Sequence, residues 1–299
     1  MHRRTFLSAV ASTTALSALP LATKAAGTGR LKQGVTRGVF GRDMAFEDCC
    51  KLAASIGIQG FDFANKPEQW PIVKRHGMTV SMLRILYQGY DDFRHPGPPG
   101  WEAIGLKQAQ GEYLAAIHRG IDTAAAQGFP NVLVLAGTRA HVSYSEGADN
   151  AVAFLNQVKS HAEDKGVTVC MELLNSRGIQ APPMSLFDHM AWGVDVAKRV
   201  SSPRVKILYD IFQAQISEGD IVQTLRHNIA YIGHVHTGSV PAVSGARHEL
   251  FRSDELNYRF IAQALADLNY RGFVSHEWTP SPGSDAVEDL KGSVELMTV

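Results

Sequence analysis

Apolar and polar positions along this chain fall into one unit repeated eight times. Each unit is a short apolar, β-branched run, a polar loop and a stretch of helical periodicity, often closed by a glycine before the next run. The runs predict strands at Leu31–Phe40, Gly57–Phe63, Met78–Leu86, Asn131–Ala136, Val167–Leu174, Val205–Ile211, Tyr231–His236 and Phe273–Trp278. The intervening pattern predicts helices at Phe46–Ser55, Gln69–His76, Gly105–Gln127, Ala148–Lys165, Ser185–Arg199, Asp220–His227, Leu256–Leu268 and Asp285–Leu296. Gly57, Gly77, Gly128 and Gly166 stand just past helix ends, where a left-handed residue is needed and glycine has no Cβ to clash. Eight strand–helix units in a chain of this length predict a closed (β/α)8 barrel, the TIM-barrel arrangement of the α/β class, over an open doubly wound sheet. The first run is not followed by G-x-G-x-x-G, which also counts against a dinucleotide-binding sheet. The Gly/Pro-rich stretch Tyr87–Gly100 reads as a loop over the top of the barrel.

Such a barrel carries its chemistry at the C-terminal ends of its strands, so those positions act as a filter. A buried parallel strand is apolar on both faces, and a carboxylate in it is out of place unless the strand is ending. Glu172, Asp210, His236 and Glu277 stand out in this way on four consecutive predicted strands. Side chains two apart share a face, so Cys170 with Glu172, Leu208 with Asp210, His234 with His236, and Ser275 with Glu277 point into the barrel. His234 then sits just below the site and His276 points outward. Alone, each acid reads as a helix cap or ion-pair partner. Together, three carboxylates repel one another unless a cation lies between them. Three carboxylates and one imidazole form a hard set that suits Mn²⁺ or Mg²⁺ rather than a structural zinc site. Asp62, Arg84, Arg139, Asn175 and Gln213 occupy other strand ends, with Asn175 and Gln213 as candidates on the substrate side. Arg84 and Arg139 read as ion-pair residues. Trp70, Tyr87, Tyr90 and Trp101 read as packing residues near the barrel top, with sugar stacking as their other use.

Composition narrows the partners. Of 299 residues 45% are hydrophobic and 19% charged, as in a globular protein with a sizeable core. Lys+Arg and Asp+Glu both number 29, so no basic face is implied and nucleic acid is not an expected partner. The three cysteines, Cys49, Cys50 and Cys170, give neither a disulfide framework nor a C-x-x-C zinc spacing. Arg3-Arg4-Thr5-Phe6-Leu7 opens an apolar run to Leu21 that ends in small residues. Residues 1–25 therefore read as a cleavable export signal of the twin-arginine type, leaving 26–299 as one barrel domain. A periplasmic or exported location without stable membrane insertion follows as the expectation. The sequence leaves a homo-oligomer open.

Five segments then carry a resemblance: Glu172-Leu-Leu-Asn175, Tyr209-Asp210 through Gly219, Ile232-Gly-His-Val-His236, Arg247-His-Glu249 and Gly272-Phe-Val-Ser-His-Glu277. They resemble the xylose-isomerase-like barrel superfamily, and within it most resemble the hydroxypyruvate isomerases. The resemblance implies Glu172, Asp210, His236 and Glu277 as metal ligands, with both glutamates also handling protons, and Arg247 and His248-Glu249 beside the substrate. The chain departs from the family's usual pattern at Gln213, where His is common. At His236 hydroxypyruvate isomerases usually carry Gln, and ketose 3-epimerases carry His. The segment Val240–Arg247 is longer than the usual Val-Pro-Gly-Arg. The chemistry implied is isomerisation or epimerisation of a small keto-sugar or hydroxy-keto acid through an enediolate. The alternatives are lyase or hydrolase action on a 3-keto sugar, metal-dependent phosphodiester cleavage, and a sugar-binding barrel without turnover.

Overall fold

Short apolar runs flanked by glycine and polar loops pair as strands because a barrel buries both of their faces. In the computed structural model of the chain, residues 29–85, 103–107, 110–140, 142–240, 242, 245–252 and 254–299 are described. The expected export segment 1–25, the loop Tyr87–Gly100 and Trp101 lie outside the described residues. The strands are β1 (Lys32–Val35), β2 (Gly60–Asp62), β3 (Thr79–Met82), β4 (Asn131–Leu135), β5 (Thr168–Glu172), β6 (Val205–Asp210), β7 (Ile232–Thr237) and β8 (Phe273–His276). The helices are α1 (Phe46–Ser55), α2 (Trp70–Arg75), α3 (Gln110–Gln127), α4 (Tyr144–Lys165), α5 (Met190–Val200), α6 (Ile211–Ser217), α7 (Ile221–Asn228), α8 (Tyr258–Asp267) and α9 (Ala286–Met297). None of them is long and apolar enough to cross a membrane.

The strands are parallel in the order β3-β2-β1-β8-β7-β6-β5-β4. The two ends of this sheet meet at one residue. Leu83 N donates to Asn131 O, and Leu133 N donates to Leu83 O, both at 2.9 Å. Above that point Ala103 pairs with Leu135, and Ile104 N donates to Leu135 O at 2.9 Å. The sheet thereby curls into a nearly closed barrel with its helices outside.

Alternation along each strand separates two interiors. Val134, Val169, Ile207, Val235 and Val274 face outward into the apolar layer shared with the helices. Met82, Leu133, Cys170 and Leu208 pack in the lumen below the strand ends. Each fully buried aliphatic side chain of the outer layer contributes on the order of 2–3 kcal/mol, so stability resides mainly there and the lumen is free to carry polar groups. In β3 both Ser81 and Met82 face the lumen, because the β2–β3 register slips between Gly60↔Thr79 and Asp62↔Met82.

The four glycines at helix-to-strand junctions have φ between 70° and 89°, the left-handed turn expected there. Several boundaries differ from expectation, three of them for reasons visible in the backbone. The first strand stops at Val35, after which Arg37–Phe40 winds into a 3₁₀ turn. Ser185–Phe187 is a bridge followed by bends rather than helical, because Leu186 N donates to Gly137 O and Leu174 N to Phe187 O. The helix expected from Gly105 starts at Gln110, since Gly105 N is taken by Ala136 O.

Candidate metal centre at the strand ends

Glu172 is the last residue of β5, Asp210 the last of β6, His236 lies one residue before the end of β7, and Glu277 directly follows β8. Four neighbouring strands thus deliver one side chain each to the same end of the barrel. One ligating atom from each of the four lies within 4.8 Å of those from the others. Asp210 and His236 are fully buried, Glu172 nearly so, and the Glu277 side chain is 23% exposed at the rim. His234 faces the lumen below His236. His276 turns outward to Gln33 Oε1 (2.9 Å) and Thr237 Oγ1 (3.2 Å), where burial pushes its imidazole down to about 3.

The candidate ligands Asp210 and His236 are held by different devices. Asp210 caps α6, its Oδ1 accepting from Phe212 N (3.0 Å) and Gln213 N (3.3 Å), which leaves Oδ2 to face the cluster. His236 donates through Nε2 to Asp62 Oδ2 at 2.9 Å, and Phe63 stands edge-on to its ring at 5.7 Å. Phe63 has φ of 61°, a backbone conformation uncommon for a bulky residue. Its amide is fixed by Met82 O at 2.8 Å. His236 Nδ1 is buried, 2.8 Å from Glu277 Oε2 and 3.6 Å from Glu172 Oε1, yet among the described residues it lacks a partner in hydrogen-bond direction.

Arg247 reaches in from the β7–α8 connection. Its Nη1 lies 2.5 Å from Asp210 Oδ2 and its Nη2 pairs with Glu277 Oε2, while the guanidinium sits over Phe212 at 5.2 Å. Its stem lies against Gly238, where a Cβ would come within 2.6 Å of Arg247 Cδ. The next residues of the motif turn elsewhere. His248 bonds Thr279 O (2.8 Å), and Glu249 accepts from Ser281 N (3.0 Å) and Oγ (2.8 Å) and pairs with Arg252 (2.9 Å). Both tie the β7–α8 connection to the segment after β8. Asn175 and Gln213 pair side chain to side chain, and Gln213 Nε2 also holds Gln180 O at 3.2 Å. They brace the loop after β5 that brings Gln180 to the cleft. Arg139 pairs with buried Asp188 at 3.2 Å, and Trp70 packs on Phe129 with its indole N–H on Ala64 O. Both are bracing contacts, in line with the ion-pair and packing expectations.

The electrostatics follow from crowding. Burial first, then the charges of Glu277 and Asp210, push the Glu172 carboxyl up. Burial opposes ionisation of Glu277 too, but Arg247 and then His236 outweigh it and hold that carboxyl down at about 2. Burial works against a charged His236, yet Glu277 and Asp62 raise it well above the ordinary imidazole value. A proton and a divalent cation would answer the same demand at Nδ1. The residues fit a cation: a buried, unpartnered imidazole nitrogen with three carboxylates around it. The cleft above, about 290 Å³, is lined by Thr36, Arg37, Phe63, Gln180, Arg247, Glu277 and Trp278, among others. A second cleft of about 280 Å³ lies by Leu31, Gln59 and Val294. It is lined by none of the four clustered residues, whereas the first is lined by Glu277 and by Arg247, which pairs with Asp210 and Glu277. Phe63, Gln180 and Trp278 carry no charge or motif that marks them as cleft residues in the sequence. Asp62 stands at an expected strand end, but off the four consecutive strands whose acids and histidine stand out together.

Residues 50–297 match the model of the xylose isomerase-like TIM barrel family. The chain belongs to that family. Its relatives include 2-oxo-tetronate isomerases of Cupriavidus necator, 27% identical over 81% of this chain and 90% of the relative, and of Pectobacterium atrosepticum, 31% identical over 80% and 88%. A human putative hydroxypyruvate isomerase is 28% identical over 80% of this chain and 85% of its own. With family membership, these relatives make the chain an enzyme of the isomerase/epimerase class. Among solved structures, a family 2 AP endonuclease from Brucella melitensis superposes with a TM-score of 0.73 at 22% identity, covering 87% of this chain and 97% of that one. A D-psicose 3-epimerase from Clostridium cellulolyticum H10, solved with D-tagatose, gives 0.68 at 18% identity, covering 90% and 100%. Neighbours at such identities, carrying different chemistries, speak for the xylose isomerase-like fold alone.

Proposed function

We propose that this enzyme interconverts small hydroxy-keto acids or keto-sugars by moving a proton next to a carbonyl, with a divalent cation, Mn²⁺ or Mg²⁺, held by Glu172, Asp210, His236 and Glu277. The observation that carries the reading is the meeting of three carboxylates and an unpartnered imidazole nitrogen beside a small cleft that Glu277 lines. A cation bound there supplies Lewis acidity, lowering the cost of charge on a carbonyl oxygen and its neighbouring hydroxyl. Glu172 and Glu277 are the proton carriers. They come from the outer strands of the run β5-β6-β7-β8 and flank the other two ligands. Arg247 offers a guanidinium at the cleft wall for a substrate carboxylate or the enediolate oxygen. The cleft volume, at the low end for ligand sites, favours a substrate of a few carbons. The relatives named for 2-oxo-tetronate and hydroxypyruvate support an acid substrate.

The flanking placement of the two glutamates also supports epimerisation, in which one carboxylate removes a proton and the other returns one from the opposite face. The test incubates Mn²⁺-loaded protein with a panel of keto acids and keto-sugars in D₂O. Deuterium in substrate and a new isomer or epimer are expected. Glu172→Gln and Glu277→Gln are each expected to abolish deuterium uptake. Uptake retained in either variant removes that residue from proton transfer, and fragmentation of substrate would favour the lyase reading.

A further inference from the structure

Below the four strand-end residues lies a second cluster that shares only His236 with them: Asp62, His234 and His236, all fully buried. Asp62 Oδ2 lies 2.7 Å from His234 Nε2 and 2.9 Å from His236 Nε2, and Ser81 donates to the other oxygen, Oδ1. Three donors around a shared cation would stand about 3 Å or more apart. The separations here are those of hydrogen bonds converging on one acceptor. Two glycines make room for this arrangement in the lumen. A Cβ at Gly34 would collide with Ser275 Oγ, beside His234, and one at Gly60 would collide with Ser81.

An ionised carboxylate only accepts, so both imidazoles must present an N–H to it from Nε2. His234 shows the consequence on its far side, where its Nδ1 meets the Asn131 side-chain amide nitrogen, a donor, at 3.4 Å. For His236 the far side is the cluster of Glu172, Asp210 and Glu277. With the proton placed on Nε2, the lone pair of Nδ1 faces those three carboxylates.

We propose that Asp62 is a positioning residue of the metal centre, fixing the ring orientation and tautomer of His236 so that Nδ1 is presented as the ligand atom. This rests on reading the strand-end cluster as a metal centre. The residue reaches that centre across the barrel from β2, two strands beyond the run that supplies the ligands. Asp62→Asn keeps the shape but can offer an amide N–H to His236 Nε2, which would shift the ring proton to Nδ1 and block the lone pair.

The experiment has two arms. In wild-type protein loaded with diamagnetic Zn²⁺, ¹⁵N-resolved spectra of the histidine side chains are expected to place the His236 proton on Nε2. A proton on Nδ1 overturns the proposal without any variant having to fold. In the second arm, calorimetric titration of chelator-stripped protein with Mn²⁺ compares wild type, Asp62→Asn and Ser81→Ala, with melting curves run alongside. Asp62→Asn is expected to weaken Mn²⁺ binding about 10- to 100-fold. Ser81→Ala, which takes a hydrogen bond from Asp62 but not the one to His236, is expected to leave it at the wild-type value. Equal weakening in both variants, or none in Asp62→Asn, overturns the proposal. Wild-type protein that takes up no Mn²⁺ would instead defeat the metal-centre reading on which it rests.

Discussion

Asp254 closes the connection that carries Arg247, and its environment makes that connection sensitive to pH. One carboxylate oxygen accepts from Val240 N (3.2 Å) and Leu256 N (2.9 Å), while the other is buried without a hydrogen-bond partner among the described residues. Burial, against the pull of its backbone hydrogen bonds and with Glu255 adding to it, pushes the group up to about 7. The folded chain therefore holds a proton there that the unfolded chain releases near 3.8. Stability from this group is full below that value and is lost as pH rises through about 7. Asp254→Asn is expected to raise the melting temperature at pH 8 and to change it little at pH 4. Equal shifts at both pH values would mean that the carboxylate charge is not what costs stability. Other single residues show where a sequence reading stops. Glu172, Asp210, His236 and Glu277 stand out because each breaks an apolar run. Asn175 and Gln213 each lie three residues after a strand-end acid, but their mutual pairing is a fact of three-dimensional placement.

Among the elements, α6 joins stability to chemistry through one side chain. It begins directly at Asp210, whose two oxygens divide their work between capping the helix and facing Arg247. Asp210→Asn retains an oxygen for the cap and loses the charge, so its melting temperature should stay near wild type while Mn²⁺ affinity falls. Asp210→Ala loses both, and should in addition cost ~1 kcal/mol of stability, read as a lower melting temperature. If the asparagine variant melts as low as the alanine variant, the cap is not what Asp210 contributes to the fold. Nothing in the apolar pattern marks α6, because its seven residues, IFQAQIS, are too few to show a helical period. The pattern also starts α4 late, at Ala148. The true start is marked by Ser143, whose side chain accepts from Glu146 N, a cap lying in polar surroundings without an apolar run to draw attention to it. Ser185–Phe187 departs from its pattern for the opposite reason. Its local pattern is compatible with a helix, and backbone partners on Gly137 and Leu174 override it.

For the molecule as a whole, the strand–helix alternation, the glycine punctuation and the crowding of acids and histidines in the later strands were legible before any coordinates. The inward and outward alternation of β5 to β8 followed from strand geometry, with Cys170 and Leu208 in the lumen and His276 outside it. What joins distant strands was not legible. The Asp62–His236 bond spans 174 positions, and no periodicity connects its ends. Nor does any periodicity show where the barrel closes. That seam lies between β3 and β4, held at Leu83 by two backbone hydrogen bonds. Around the ring, the β7–β8 pair, with four residues in register, stands opposite. Slow breathing of the native barrel should therefore begin along the seam. In native-state hydrogen exchange the amides of Leu83 and Leu133 are expected to trade for deuterium ahead of those on β7 and β8; the reverse order would place the weak line elsewhere. A wall that parts on the side away from His236 and Glu277 can admit fluctuation while the ligands keep their spacing.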